Sequence, residues 1–162
     1  MARFAARLAS SNTGGNRIKM TELKAALTKR GFANVETVTA SGNVLFDGTT
    51  QDGHAAAIAA CLKEDFGIDT FAIVLSAAEL EACLGESPFA HEGADNLVHV
   101  HFLEEQPTQA AFEQLETDHQ GRGSERLAPG TRALHIDYVD GVGRSKLTGP
   151  FIAKRLGCRG TA

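Results

Sequence analysis

The stretch VETVTASGNVLFD, residues 35–47, decides the fold of the first half of this chain. Apolar and polar residues alternate over residues 35–40, which is typical of a half-buried strand. Ser41-Gly42-Asn43 has the composition of a tight turn, and residues 44–47 return as a second strand. The stretch therefore predicts an antiparallel hairpin, and a hairpin needs further elements on each side to bury one of its faces.

Those elements are found on both sides of the hairpin. A strand is predicted at 3–9 and a helix at about 20–30, with Thr21 as its expected N-cap. After the hairpin, residues 53–66 have apolar residues at helical spacing, and residues 69–75 form a nearly continuous apolar run that predicts a buried strand. The order β-α-β-β-α-β over these residues is the ferredoxin-like pattern.

The second half opens with a helix signal and repeats much of this order. Ser76 and Glu79 have the spacing of a capping box, which predicts a helix start. Further strands are predicted at 97–103, near 125–128 and at 132–139, and further helices at about 108–117 and 150–156. We therefore predict an α+β protein: a ferredoxin-like βαββαβ domain at 1–75 and a second, related α/β domain at 76–162 that is short at its C-terminus.

The composition excludes several classes of protein. The chain has 162 residues, of which 43% are apolar and 22% charged, as in a globular protein rather than a disordered one. It has no apolar run of about 18 residues and no signal-peptide core, so we expect a cytoplasmic protein without a membrane partner. Its three cysteines show no C-x-x-C spacing, so we expect no disulfide framework, no metal and no cofactor.

Charge is segregated along the chain. Residues 1–30 carry seven basic side chains and one acidic, and residues 142–162 carry five basic and none acidic. The intervening residues 31–141 carry four basic and 19 acidic side chains. If the two ends meet, they form one basic face on an acidic body, which would attract anions. Two separate solvated faces explain the pattern equally well.

Three polar segments are candidates for an anion site. In the first, residues 12–17, two glycines allow backbone N–H groups to converge, and Arg17 can pair with a phosphate or carboxylate. The hairpin turn at 41–43 offers a hydroxyl and an amide. In the third, residues 140–148, glycines precede basic and hydroxyl side chains at a helix entrance. The predicted ligand-binding residues are Asn12, Gly14, Gly15, Asn16, Arg17, Ser41, Asn43, Arg144, Ser145 and Lys146. Ordinary glycine turns, with Thr148 as a helix cap, are the alternative.

The histidines do not form a clear metal motif. His99 and His101 share a face of one strand, and His135 lies on another. Three imidazoles can bind a metal, but no carboxylate or cysteine pattern accompanies them, so we interpret them as a half-exposed sheet face. Serine hydrolase chemistry is not indicated, because the G-x-S-x-G motif is missing.

The three segments, read together with Met20, Leu23 and the SGNVLF run at 41–46, resemble the DUF1697 family of uncharacterised, mostly bacterial proteins. The resemblance implies a cytoplasmic, ferredoxin-like α/β protein with no established activity. Two departures stand out: Ala9, Ser10 and Ser11 replace the family's Arg-Gly-Ile, and the family's further C-terminal run is missing after Ala162. If that run completes a pocket, we expect the pocket here to be altered or more open.

Our leading hypothesis is a binder of a small anionic, phosphate-bearing ligand, with the three segments gathered at one site. One alternative is an enzyme acting on a phosphorylated metabolite or nucleotide, with Asp140, Ser145 or a histidine as base or nucleophile. Another is a protein-interaction or nucleic-acid-binding module. Because the chain is acidic overall and only 6% aromatic, we expect no nucleic-acid partner.

Overall fold

In a computed structural model of the chain, the residues described are 1–9, 18–38, 43–50, 52–89 and 96–161. They divide by their contacts into two compact units, Met1–Leu80 and Glu81–Ala162. The glycine-rich segment 12–17 and the turn residues Ser41 and Gly42 lie outside the described residues, so the structure does not test the predictions made for them.

The first unit has the ferredoxin-like topology that the sequence predicts. Its antiparallel sheet has the strand order β2-β3-β1-β4, in which β1 lies between β3 and β4. The elements are β1 (Ala2–Leu8), α1 (Met20–Lys29), β2 (Ala33–Val38), β3 (Asn43–Gly48), α2 (His54–Phe66) and β4 (Ala72–Ser76).

The core of this unit lies between its two helices and one face of its sheet. Leu23 and Leu27 of α1 and Ile58 and Leu62 of α2 are fully buried against Phe46 of β3. Their spacing of four residues places them on one side of each helix. The predicted helices form because this spacing allows each to bury one apolar stripe.

The two predicted helix starts turn out differently. The capping box is confirmed: Glu79 N donates to Ser76 Oγ at 3.1 Å, and Ser76 N donates to Glu79 Oε2 at 2.9 Å. It begins α3 (Ala77–Glu86), which continues from the first unit into the second. The prediction of Thr21 as N-cap was wrong: α1 begins at Met20, and its N-cap Lys19 makes no side-chain capping bond.

The second unit repeats the topology of the first. Its sheet has the order β6-β7-β5-β8, again antiparallel throughout. The added strand β8 has only two residues, and it completes a second βαββαβ unit that the sequence predicted only as far as its last helix. The elements are β5 (Val98–Leu103), α4 (Gln109–His119), β6 (Arg126–Gly130), β7 (Ala133–Asp137), α5 (Gly149–Leu156) and β8 (Gly160–Thr161).

Helices α4 and α5 cover one face of the sheet of the second unit. Leu115 of α4 and Ile152 of α5 are buried against Leu103, Leu134 and Ile136. Across the described ranges, no helix is both long and apolar enough to cross a bilayer.

Candidate functional site

The predicted ligand-binding residues fall into three groups in the structure. Asn12, Gly14, Gly15, Asn16, Arg17 and Ser41 lie outside the described residues. Asn43 is the first residue of β3 in the first unit, half-buried and paired in register with Arg7 of β1. Arg144, Ser145 and Lys146 lie in the second unit, between β7 and α5. That all three segments gather at one site stays a prediction.

The segment from Val139 to Thr148 connects β7 to α5 through two special backbone positions. Val139 has φ +56° and Gly141 has φ +101°. The left-handed region is costly for a β-branched residue, so the surrounding contacts must hold Val139 there. One such contact is the hydrogen bond from Val139 N to Asp137 Oδ1 at 3.1 Å. At the other end, Thr148 Oγ1 accepts from Phe151 N at 3.3 Å and caps α5.

A buried carboxylate holds the middle of this segment in place. Ser145 Oγ donates to Glu125 Oε1 at 2.5 Å and also accepts from Leu147 N at 3.1 Å. Glu125 Oε2 lies 3.2 Å from His119 Nε2, too poorly aligned for a hydrogen bond. Burial alone would raise the pKa of Glu125, but the hydrogen bond from Ser145 and the nearby His119 outweigh it and leave the pKa lowered. The Ser145 hydroxyl thus fixes the loop.

The charged side chains on either side of Ser145 point to solvent. Arg144 and Lys146 are exposed, and neither forms an ion pair with any described residue. Since Ser145 anchors the backbone between them, their two positive charges are presented from a fixed loop rather than from a free tail.

Further cationic side chains lie beside this loop, and sequence reasoning missed them. Arg122 Nη2 donates to the carbonyl oxygen of Lys146 at 3.4 Å, and its guanidinium lies 4.2 Å from the ring centre of Phe151. The Arg155 guanidinium lies 3.6 Å from the same ring centre and donates to Asp118 Oδ2 at 3.0 Å. Arg122 is 22 residues from Arg144, so no local pattern connects the two.

We define the basic surface as Arg122, Arg144, Lys146 and Arg155. This surface carries the guanidinium groups of three arginines and the ammonium group of one lysine. Among them, Asp118 forms an ion pair only with Arg155. Guanidinium groups offer paired N–H donors to the oxygens of carboxylates and phosphates. The arrangement can therefore bind an anion from solvent. Two hydroxyl groups near this surface are engaged by carboxylates: Ser145 donates to Glu125, and Ser124 donates a short hydrogen bond to Asp140.

The structure corrects the interpretation of the histidines as a half-exposed sheet face. His101 is only 8% exposed and His135 is fully buried. The register pairs His101 with Leu134 and Val100 with His135, so His135 lies on the opposite face of the sheet from His99 and His101. The three imidazoles therefore do not share a face.

The fold occurs in a solved structure. A conserved bacterial protein from Streptococcus pneumoniae, SP0830, matches 84% of this chain and 76% of its own with a TM-score of 0.59. At 24% identity, this likeness extends to the fold alone. No curated protein matches the chain.

The sequence also matches one family model. The model described as a protein of unknown function (DUF1697) matches residues 1–135. The match includes the segment 12–17 and the hairpin turn at 41–43, and it ends before the loop that carries Arg144 and Lys146. Because it spans most of the chain, this protein belongs to the DUF1697 family.

Proposed function

We propose that this protein binds a small anionic, phosphate-bearing ligand through the basic surface of its second unit. The observation that carries the proposal is the exposed, unpaired state of Arg144 and Lys146 within the described part of the chain, on a loop anchored at Ser145. An anchored loop loses little conformational freedom when a ligand binds, so more of each charge interaction is retained as affinity.

Arg122 supports this proposal from outside the loop. Its hydrogen bond to the Lys146 carbonyl and its position over Phe151 hold a third cation beside the loop. Because the three like charges repel one another, a bound anion would relieve that repulsion as well as make new contacts. Phosphate groups match the fork of donors that Arg122 and Arg144 offer.

Titration calorimetry of the full chain with inorganic pyrophosphate tests the proposal. We expect saturable binding that weakens as salt is added, because the contacts are exposed to solvent. Arg144→Ala should weaken it about tenfold, the equivalent of roughly 1.4 kcal/mol for one charge-assisted contact. Lys63→Ala removes an exposed charge from α2 of the first unit and serves as the control for net charge.

The three substitutions distinguish a defined binding site from attraction by overall charge. Loss of affinity in Arg144→Ala and Lys146→Ala, with Lys63→Ala unchanged, supports a defined site on the second unit. Equal weakening by all three substitutions indicates attraction by overall charge and overturns the proposal, as does the lack of saturable binding. Arg17→Ala in the same assay tests separately whether the segment 12–17 contributes.

A further inference from the structure

A second group of side chains in the second unit has metal-ligand chemistry, and the proposed anion binding does not use it. Cys83 and Glu86 are three residues apart near the end of α3, which places them on one side of the helix. His135 is in the middle of β7 and fully buried. One ligand atom of each of the three lies within 4.8 Å of the other two.

The distance between two of these atoms fits a shared metal ion. His135 Nε2 lies 3.3 Å from Glu86 Oε1. This is long for an N–H···O hydrogen bond, for which about 2.9 Å is typical. Two ligands at about 2.0 Å from a tetrahedral metal ion are separated by about 3.3 Å. The two groups form a long hydrogen bond at a separation that also matches two ligands on one tetrahedral ion.

A glycine keeps the space beside these two atoms open. A Cβ added at Gly130 would lie 2.6 Å from Glu86 Oε1 and 2.7 Å from His135 Nε2. Any other residue at this position of β6 would push into both ligand atoms. A shallow pocket of about 380 Å³, lined in part by Glu86, Gly130 and Thr131, adjoins the group and gives solvent access to it.

The local electrostatics favour a cation. Glu86 is the last residue of α3, where the helix dipole is negative, and no basic residue is in the last turn. A metal ion would supply the positive charge that this helix end lacks, and the thiol would release its proton to solvent on binding it.

Thr131 orients the carboxylate. Its backbone N donates to Glu86 Oε1 at 2.7 Å, and its hydroxyl donates to Glu86 Oε2 at 3.1 Å. Such outer contacts usually hold metal ligands in place. In contrast, His135 Nδ1 is buried with no hydrogen-bond partner among the described residues. Loss of a hydrogen-bond partner behind a metal ligand lowers metal affinity about 10- to 100-fold. We therefore expect weaker metal binding here than at a site where every ligand has such a partner.

We propose that Cys83, Glu86 and His135 form a Zn²⁺ site with three protein ligands, next to the pocket that Glu86 lines. A thiolate, an imidazole and a carboxylate together suit zinc better than magnesium or calcium, which prefer oxygen ligands alone. Three protein ligands with one open position is the arrangement of zinc ions that bind water or a substrate group.

Metal titration of the full chain tests this proposal. After treatment with a chelator, we expect one Zn²⁺ per chain to bind and to raise the melting temperature. Co²⁺ as a probe should give the charge-transfer band of a cobalt–thiolate bond. Cys83→Ser should abolish that band, and Glu86→Gln should weaken Zn²⁺ binding by at least about 100-fold, since a direct ligand matters more than an outer partner.

The controls are the other two cysteines. Cys61→Ser, a buried thiol of the first unit, and Cys158→Ser, a half-buried thiol of the second, should leave the band and the affinity unchanged. Replacement of the fully buried His135 risks unfolding, so the test rests on the two α3 variants, each first shown by circular dichroism to fold. A lack of stoichiometric Zn²⁺ binding, or a cobalt band that survives Cys83→Ser, overturns the proposal.

Discussion

Acid should destabilise the second unit through one buried histidine, His101. Its side chain is 8% exposed, and burial lowers its pKa from 6.5 to about 4. In the unfolded chain the imidazole takes up a proton near pH 6.5, whereas in the folded unit it stays neutral down to about pH 4. Between these values the unfolded state binds more protons, so the free energy of unfolding falls as the pH falls.

The magnitude follows from the two pKa values. At pH 7 the imidazole is mostly neutral in both states, so its protonation lowers the free energy of unfolding only slightly. At pH 5 the unfolded imidazole is almost fully protonated while the folded one is mostly neutral, which lowers the free energy of unfolding by about 2 kcal/mol relative to pH 7. A shift of one unit in the folded pKa changes this figure only slightly, because at pH 5 the unfolded state dominates the difference.

The chain offers a local probe for the measurement. Tyr138 is the single tyrosine, the sequence has no tryptophan, and the ring is buried in the core of the second unit. Tyrosine fluorescence during urea unfolding therefore reports this unit. We expect the wild-type protein to lose about 2 kcal/mol more between pH 7 and pH 5 than His101→Leu does.

A control variant and the comparison itself remove other sources of pH dependence. Buried or paired carboxylates also respond to acid, but they are present in both proteins and cancel in the difference. His99→Leu removes a more exposed imidazole from the same face of β5 and is the matched control for the loss of an imidazole, although its contact with Tyr138 changes the signal amplitude. If wild type and His101→Leu lose the same free energy on acidification, the reasoning from burial is wrong.

Three further predictions concern stability. Ser76→Ala should lower the free energy of unfolding by about 1 kcal/mol, because the capping bond to Glu79 N is lost; an unchanged urea midpoint would contradict this. Leu115→Ala should cost about 2–5 kcal/mol by leaving a cavity at a fully buried site, and a loss below about 1 kcal/mol in tyrosine-monitored unfolding would refute it. Gly157→Ala should lower the free energy of unfolding by about 1 kcal/mol, because Gly157 ends α5 at φ +76°. Gly143→Ala is the control, because φ is not positive at Gly143. Equal melting temperatures for the two variants would count against the argument.

The elements of the fold could be predicted from the sequence because their signals are local. The hairpin at 35–47, the apolar stripes of α1 and α2, and the capping box before α3 all depend on residues within a few positions of one another. Strand β8 was missed for the same reason: its two residues, Gly160 and Thr161, are too few to show alternation. Only its pairing with Phe102 and Leu103 defines it.

The candidate site was only partly predictable. The loop with Arg144 and Lys146 has a recognisable composition, but neither the anchor from Ser145 to Glu125 nor the cation Arg122 beside it can be read from nearby residues. Each of these contacts joins residues 20 or more positions apart. They form because packing brings the connection between α4 and β6, which carries Arg122 and Glu125, to that loop.

The histidines show most clearly that local sequence determines the type of element, whereas tertiary packing determines which residues meet. The sequence by itself determined that His99, His101 and His135 lie on strands, because the alternation of neighbouring residues indicates strands. Only the tertiary structure decided the register of those strands, and with it the side of the sheet that each ring occupies and the approach of His135 to Cys83 and Glu86. Register is set by the summed packing of whole sheet faces, and a shift of one residue would turn every side chain to the other face.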